Sequence, residues 1–230
     1  MIVDALIPAR RGSRRLPGKH LRELGGRPLI DWTVRAALEA GCFRRVSLST
    51  DDPELGERAT ALGLSHFPPR PAALAGDQSA SADVVRHYLD WLTAQGVAQP
   101  EWLMLLQPTS PFRGAARIRE ACKIARAAER DLVSLGPVDK PLAWCRHVVR
   151  GDVVPWPCPD PAPAWRLNGA IYLLRVRRFL QDGALVTERP LALTMADWES
   201  VDIDTPLDWR LAEAVAADRC PAPAAGEERA

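Results

Sequence analysis

Short, strongly apolar runs recur along this chain, and the stretches between them carry the three-to-four-residue periodicity of amphipathic helices. That alternation constrains the fold more than any other feature. Residues 3–8, 46–50 and 102–107 are apolar and too short for stable helices, so they are predicted to be buried strands. Residues 132–135, 170–174 and 191–195 read the same way. The spacing predicts a helix over 28–40, with Leu29, Val34, Ala37 and Leu38 on its apolar side and Gly41 as its stop. Asp51-Asp52-Pro53 reads as a helix start, a capping carboxylate ahead of a proline. Further helices are predicted over 83–95, over 115–129 and from Pro206 onward. The implied fold class is α/β, with a mostly parallel central sheet covered by helices on both faces.

The pattern breaks between Gly136 and Trp165, a stretch rich in Pro and Trp that includes Pro155-Trp156-Pro157-Cys158-Pro159. It reads as a loop, an excursion over the site or a dimer arm. One domain over residues 1–220 is expected, with 136–168 as an irregular arm and 221–230 as a disordered tail, since that end is small, proline-rich and charged.

With 230 residues, 47% of them hydrophobic and 26% charged, the chain can build a sizeable single core. A net charge of +1 gives no broad attraction to nucleic acid or to an anionic membrane, so any anion site must be local. The first residues are too short and too acidic for a signal peptide, and no apolar run approaches the roughly 20 residues that cross a bilayer. Five cysteines show no C-x-x-C spacing and no histidine at ligand spacing. They read as free thiols of a cytoplasmic protein, not as a zinc site or disulfide framework.

The first strand runs directly into Arg10-Arg11-Gly12-Ser13-Arg14-Arg15-Leu16-Pro17-Gly18-Lys19-His20. Ligands of open α/β sheets bind at the carboxyl ends of the strands. Glycines let backbone N–H groups approach phosphate oxygens, and Arg or Lys offsets their charge. The segment is not a P-loop: five residues separate Gly12 from Gly18 where four are required, and His20 stands in place of the Ser/Thr that would hold Mg²⁺. A solvated basic loop is the plainer alternative.

Val201-Asp202-Ile203-Asp204-Thr205-Pro206-Leu207-Asp208 is the second informative segment. In extended backbone Asp202 and Asp204 point to the same side. Two converging carboxylates suit Mg²⁺, which takes hard oxygens and fills its remaining positions with waters and substrate phosphates. Helix capping does not require this pair, because Thr205 can cap and Asp208 can support the first turn. Gln107, at the end of the central strand, either reads hydroxyl groups or bonds to its own loop. Arg70, between two prolines, is either preset for an anion or an ordinary surface arginine. Asn168-Gly169 either touches a ligand or forms a turn. No covalent nucleophile is indicated. A phosphate loop with a carboxylate pair suits phosphoryl or nucleotidyl transfer.

At this point the chain resembles the acylneuraminate cytidylyltransferases, or CMP–sialic acid synthetases. The resemblance rests on IPARRGSRRLPGK, on STDDPE at 49–54, on RPAALAGDQSAS at 70–81, on LQPTSPFR at 106–113, and on NGAIY and VDIDTPLD near the end. It implies a Rossmann-like nucleotidyltransferase fold, CTP and Mg²⁺ as co-substrate and metal, a homodimer, and attack of a sugar's anomeric hydroxyl on the α-phosphate. By position it implies that Arg10, Ser13, Arg14 and Lys19 hold the nucleotide, with His20 at the loop's end. It implies that Arg70 and Ser81 contact the cytidine part and that Gln107 and Asn168 face an acidic sugar. Asp202 and Asp204 would hold Mg²⁺. Arg10, Lys19 and Asp204 would carry the catalysis.

Three departures stand out. The opening motif of the resembled family ends Lys-Asn, but here it ends Lys19-His20. An Arg-Gln pair ahead of the Asn-Gly is replaced by Cys158-Pro159, and Ala143 follows Pro141-Leu142 where a basic residue is usual. The acceptor side has therefore lost carboxylate partners, for which Lys140, Arg146 or Arg166 can substitute; Arg166 is best placed, two residues before Asn168. The expected acceptor is a relative of sialic acid such as legionaminate or pseudaminate. CMP transfer to 3-deoxy-octulosonate or to a phosphonate is an alternative, as is a non-catalytic nucleotide-binding homologue.

Overall fold

The computed structural model describes residues 1–13, 15–64, 68–76, 79–140, 142–150, 152–155 and 164–219. The chain opens with β1 (Val3–Pro8), then a short hairpin of β2 (Glu23–Leu24) and β3 (Arg27–Pro28) leads into α1 (Leu29–Ala40). Next come β4 (Arg45–Ser49), α2 (Pro53–Ala61), α3 (Ser81–Ala94), β5 (Trp102–Leu105) and α4 (Ala115–Ala128). The second half holds β6 (Leu132–Pro137), β7 (Arg146–Val149), β8 (Asp152–Pro155), β9 (Trp165–Arg175), α5 (Val176–Asp182), β10 (Leu191–Thr194) and α6 (Pro206–Arg219).

Six strands form one sheet in the order β10-β6-β9-β5-β1-β4. β1 runs parallel to both β4 and β5, and β10 runs parallel to β6. Only β9 is antiparallel to its neighbours, β5 and β6. β1 and β5 are apolar but for the buried Asp4, because both of their faces are covered. Period-two alternation then divides them between two cores. Ala5, Ile7 and Met104 face the layer of α1, α2 and α4, while Leu6, Leu103 and Leu105 face Val84, Tyr88 and Phe179 of α3 and α5. A third cluster, with Leu24, Leu29, Trp32, Ile203 and Trp209, seats α6 beside the β2–β3 hairpin.

Three elements depart from the sequence reading. The stretch expected to be irregular contains the end of β6, the antiparallel β7–β8 hairpin and the start of β9. β9 escaped detection before Ala170 because its first residues, Trp165, Arg166 and Leu167, are exposed and lack a core-facing alternation. α5 is short and follows β9 without a break, so no turn residue announces it. Part of the proline-rich arm and the whole of the expected disordered tail lie outside the described residues.

Candidate active site

A cavity of about 450 Å³ lies at the carboxyl ends of β1 and β5. Four segments line it: the loop after β1, residues from Arg70 to Val84, the turn after β5, and Asp202 with Asp204. The loop after β1 is held from beneath. Leu16 is buried in the third apolar cluster, Gly18 takes a left-handed turn at φ +66°, and the His20 carbonyl accepts from Ile30 N–H at the start of α1. This anchoring presents Arg10, Ser13, Arg15, Lys19 and His20 to the cavity. Arg14 lies outside the described residues.

Lys19 is only 7% exposed, and its Nζ donates to Ile203 O at 2.9 Å and to Asp204 Oδ1 at 3.0 Å. Arg15 donates to the other Asp204 oxygen at 2.7 Å. Burial alone would raise the Asp204 pKa, but the Lys19 and Arg15 cations outweigh it and hold the carboxyl below its ordinary range. Asp202 is the reverse. Burial is the main cause that raises its pKa, the Asp204 charge adds to it, and a hydrogen bond from Thr109 opposes it. Its Oδ1 is buried and has no partner among the described residues. The pair faces the cavity because Val201 and Ile203, at the alternate positions, are packed into the core. Asp208 stands apart as a helix cap. Its carboxylate accepts from the Asp204 and Thr205 N–H groups, and its own N–H donates to Thr205 Oγ1.

His20, also 7% exposed, has its pKa pushed down to about 3, first by burial and then by the charges of Lys19, Arg70 and Arg10. It is neutral at physiological pH, and its Nδ1 has no hydrogen-bond partner among the described residues. Arg70 is not a surface arginine. Its Nε and terminal nitrogen donate to Ser49 Oγ (3.2 Å) and Ser49 O (3.0 Å), and burial brings its pKa down to about 10. Arg10 donates to Ala75 O at 3.2 Å, tying the loop to the segment that carries Arg70 and Ser81. Ser81 opens α3 and is half-buried at the cavity wall.

Gln107 and Thr109 come from the turn after β5. Gly169 explains part of the Asn-Gly motif. Its φ is +77°, and a Cβ there would stand 2.6 Å from Gln107 Oε1. Only glycine lets β9 pass so close to that amide. Arg113 supports the same turn from inside: fully buried, it donates to Ala170 O (2.8 Å), Gln107 O (3.2 Å) and Thr33 Oγ1 (2.8 Å).

Two expected acceptor residues sit elsewhere. Asn168 is 1% exposed and outside the cavity lining. Its Oδ1 accepts from Ser134 Oγ (2.6 Å) and Ala170 N–H (3.2 Å), and its Nδ2 donates to Ser200 Oγ (3.0 Å). Its amide is thus spent in joining β9 to β6 and the 198–200 turn. Arg166 is exposed at the start of β9, away from the lining, and donates to Ser200 O at 3.2 Å. Conversely, Arg15, Ser79 and Thr109 line the cavity although the sequence reading singled out none of them. All three lie inside motifs already recognised, so their signal was position in the motif and not residue type.

Residues 5–120 match the family described as cytidylyltransferase. The sequence is 37% identical, over 225 residues, to CMP-N,N'-diacetyllegionaminic acid synthase of Legionella pneumophila, covering 93% of this chain and 95% of that protein. The chain belongs to the cytidylyltransferase family. This cytidylyltransferase is also 32% identical over 219 residues to the N-acylneuraminate cytidylyltransferase of Escherichia coli O18:K1:H7. That match covers 91% of this chain but 51% of the relative, so the chain spans about half the length of such proteins. Among solved structures it shares its fold with CMP:2-keto-3-deoxy-manno-octonic acid synthetase complexed with CTP, at TM-score 0.69 and 21% identity, covering 95% and 99% of the two chains. A 4-diphosphocytidyl-2C-methyl-D-erythritol synthase matches at TM-score 0.70 and 15% identity, covering 93% and 97%. The cytidylyltransferase therefore has a Rossmann-like nucleotidyltransferase fold. Among the described residues, no helix is long and apolar enough to cross a membrane.

Proposed function

We propose that this cytidylyltransferase transfers CMP from CTP to the anomeric hydroxyl of an acidic 2-keto-3-deoxy sugar of the legionaminate and sialate class. The observation that carries the acceptor class is the near full-length likeness to a CMP-N,N'-diacetyllegionaminic acid synthase. The cavity supplies matching chemistry, with a cationic wall facing a carboxylate pair.

In this reading the anomeric oxygen attacks the α-phosphorus, the bond to the bridging oxygen breaks, and pyrophosphate leaves. Arg10, Ser13, Arg14 and Lys19 hold the phosphates, offsetting charge that grows on the leaving group. Neutral His20 offers its unpartnered Nδ1 to the nucleotide as a hydrogen-bonding group and not as a cation. Arg70 and Ser81 contact the cytidine part, and Gln107 and Thr109 face the acceptor. We assign Asn168 a positioning role through the strand that carries Gly169, and Arg166, which stands outside the cavity lining, no contact with the acceptor.

The donor set fits Mg²⁺. Asp202 keeps a buried oxygen without a partner, and both aspartates present hard oxygens toward the space where phosphates would lie. Asp202 and Asp204 would hold the metal. When bound, Mg²⁺ supplies positive charge to the phosphates and makes a neighbouring hydroxyl more acidic. Arg15 and Lys19, which hold Asp204 in this structure, are then free to turn to the triphosphate.

We further propose a homodimer in the cytoplasm. Trp144, Val148 and Val153 are 70%, 74% and 69% exposed, an apolar surface suited to burial against a second copy. The free thiols among the described residues fit a reducing compartment.

The test is pyrophosphate release from each of the four nucleoside triphosphates, with and without Mg²⁺, against a panel of acids. The panel holds N,N'-diacetyllegionaminate, pseudaminate, N-acetylneuraminate and 3-deoxy-octulosonate. Turnover with CTP and Mg²⁺, highest for legionaminate, is expected. Faster turnover of N-acetylneuraminate than of every other acid would remove the altered-acceptor reading. No turnover with any acid would leave a nucleotide binder.

A further inference from the structure

Cys42 and Cys122 are 80 residues apart in sequence, yet their sulfurs lie 3.7 Å apart. Cys42 follows Gly41, whose left-handed backbone (φ +63°) ends α1 and turns the chain back toward β4. Cys122 lies inside α4, which packs beside α1 on the same face of the sheet. Both side chains are half-buried. They open onto a surface cavity of about 560 Å³ that also holds Lys123 and Arg126, separate from the active-site residues.

The two thiols are not equivalent. A hydrogen bond from Cys122 is the main cause lowering the Cys42 pKa, with burial opposing it and the Arg119 charge assisting. The same bond, with burial, raises the Cys122 pKa. With the sulfurs 3.7 Å apart, the thiolate of one, taken as Cys42 beside the Arg119 charge, attacks and the other thiol resolves it.

We propose that Cys42 and Cys122 are a modification site that closes reversibly into an intramolecular disulfide on exposure to peroxide. The Cys42 thiolate attacks one peroxide oxygen, the O–O bond breaks, and hydroxide leaves and takes up a proton to become water. Cys42 is then a sulfenic acid. The Cys122 sulfur attacks the Cys42 sulfur, the S–O bond breaks, and a second water leaves with the Cys122 proton. Two thiols lose two electrons in total, and one peroxide becomes two waters. The sulfurs must close from 3.7 Å to about 2.0 Å. The link staples α1, which follows the basic loop, to α4, which follows the Gln107 turn. Neither cysteine lines the active-site cavity.

The experiment uses the full chain, first reduced and then treated with stoichiometric hydrogen peroxide. Remaining thiols are alkylated and the digest is mapped by mass spectrometry. The expected product is one linked peptide pair carrying Cys42 and Cys122, a loss of two hydrogens from the intact mass, and full reversal by dithiothreitol. The link persists in Cys145→Ser and is absent from Cys42→Ser. Oxidation raises the wild-type Tm by about 5 °C or more, because the closed loop is long. It leaves the Tm of the Cys42→Ala/Cys122→Ala double variant unmoved. Full alkylation of both thiols after peroxide, a sulfinic acid at Cys42 without a link, or a bridge from Cys42 to any other cysteine overturns the proposal.

Discussion

The cavity wall and the β7–β8 hairpin break opposite rules of protein surfaces. At the cavity, charged and polar side chains are buried: Lys19, His20 and Arg70 are 7%, 7% and 8% exposed. On the hairpin, apolar side chains are exposed, and Val148 and Val153, paired directly across the two strands, both face solvent. Buried polar groups and exposed apolar patches are the two departures that carry information, because each costs free energy unless something binds there. In the proposed function the cavity takes an anion and a cation, and the hairpin an apolar surface. The two also differ in their supports: the cavity groups are fixed by hydrogen bonds from several elements, whereas the hairpin forms a two-stranded sheet of its own.

The most severe way to break the contrast is to remove charge from the cavity. Asp204→Asn should lower kcat for pyrophosphate release by about 10³-fold, since it removes a metal ligand and the counter-charge of Lys19 together. Asp202→Asn should do the same while leaving the Lys19–Asp204 pair in place; turnover within tenfold of wild type in either variant would remove that residue from the metal assignment. Lys19→Met should cost about 10²-fold in kcat with a smaller change in the KM for CTP, because its charge matters most as the leaving group develops.

A subtler break leaves every charge in place. Gly169→Ala puts a Cβ 2.6 Å from Gln107 Oε1 on a left-handed backbone, so the Gln107 amide must move. The KM for the sugar should rise about tenfold while the KM for CTP stays near wild type. Equal loss on both substrates would show a general distortion. On the hairpin, Val148→Lys with Val153→Lys should shift the protein from dimer to monomer by light scattering, without lowering the Tm. A molar mass unchanged at that of a dimer would place the contact elsewhere, and a monomeric wild type would end the dimer reading.

The smallest effect is a pH dependence. The His20 pKa is lowered from 6.5 to about 3 in the folded state. Below pH 6.5 the unfolded chain takes up a proton that the folded chain refuses, so stability falls as pH falls through that window. From there to about pH 5 the loss is at most about 2 kcal/mol. Denaturant midpoints of His20→Asn should fall less steeply over this range than those of wild type. Parallel slopes would show that His20 is already protonated in the folded protein.

Much of the architecture was legible from apolar runs. Leu103, Met104 and Leu105 announce a strand buried on both faces, and Asp52-Pro53 announces a helix start that the structure forms, with the Asp52 side chain accepting from Glu54 N–H. β9 was legible only from Ala170 onward, because residues 165–167 are exposed and alternation is visible only where one face is buried. The Asp202 and Asp204 pair was legible from period-two geometry, since Val201 and Ile203 supply the apolar half of the same pattern.

By itself the sequence determined an α/β chain with a basic loop at a strand end, two same-sided aspartates and the motifs of a cytidylyltransferase. Those are local properties, set by periodicity and by which residues follow one another. The tertiary structure decided that Asn168 spends its amide inside the sheet, that His20 is buried and neutral, and that Cys42 meets Cys122. Each depends on what lies across space from the side chain: Ser134 and Ser200 for Asn168, Lys19, Arg70 and Arg10 for His20, and α4 for Cys42. Solvation and partner geometry are long-range quantities, and no spacing along the chain reports them.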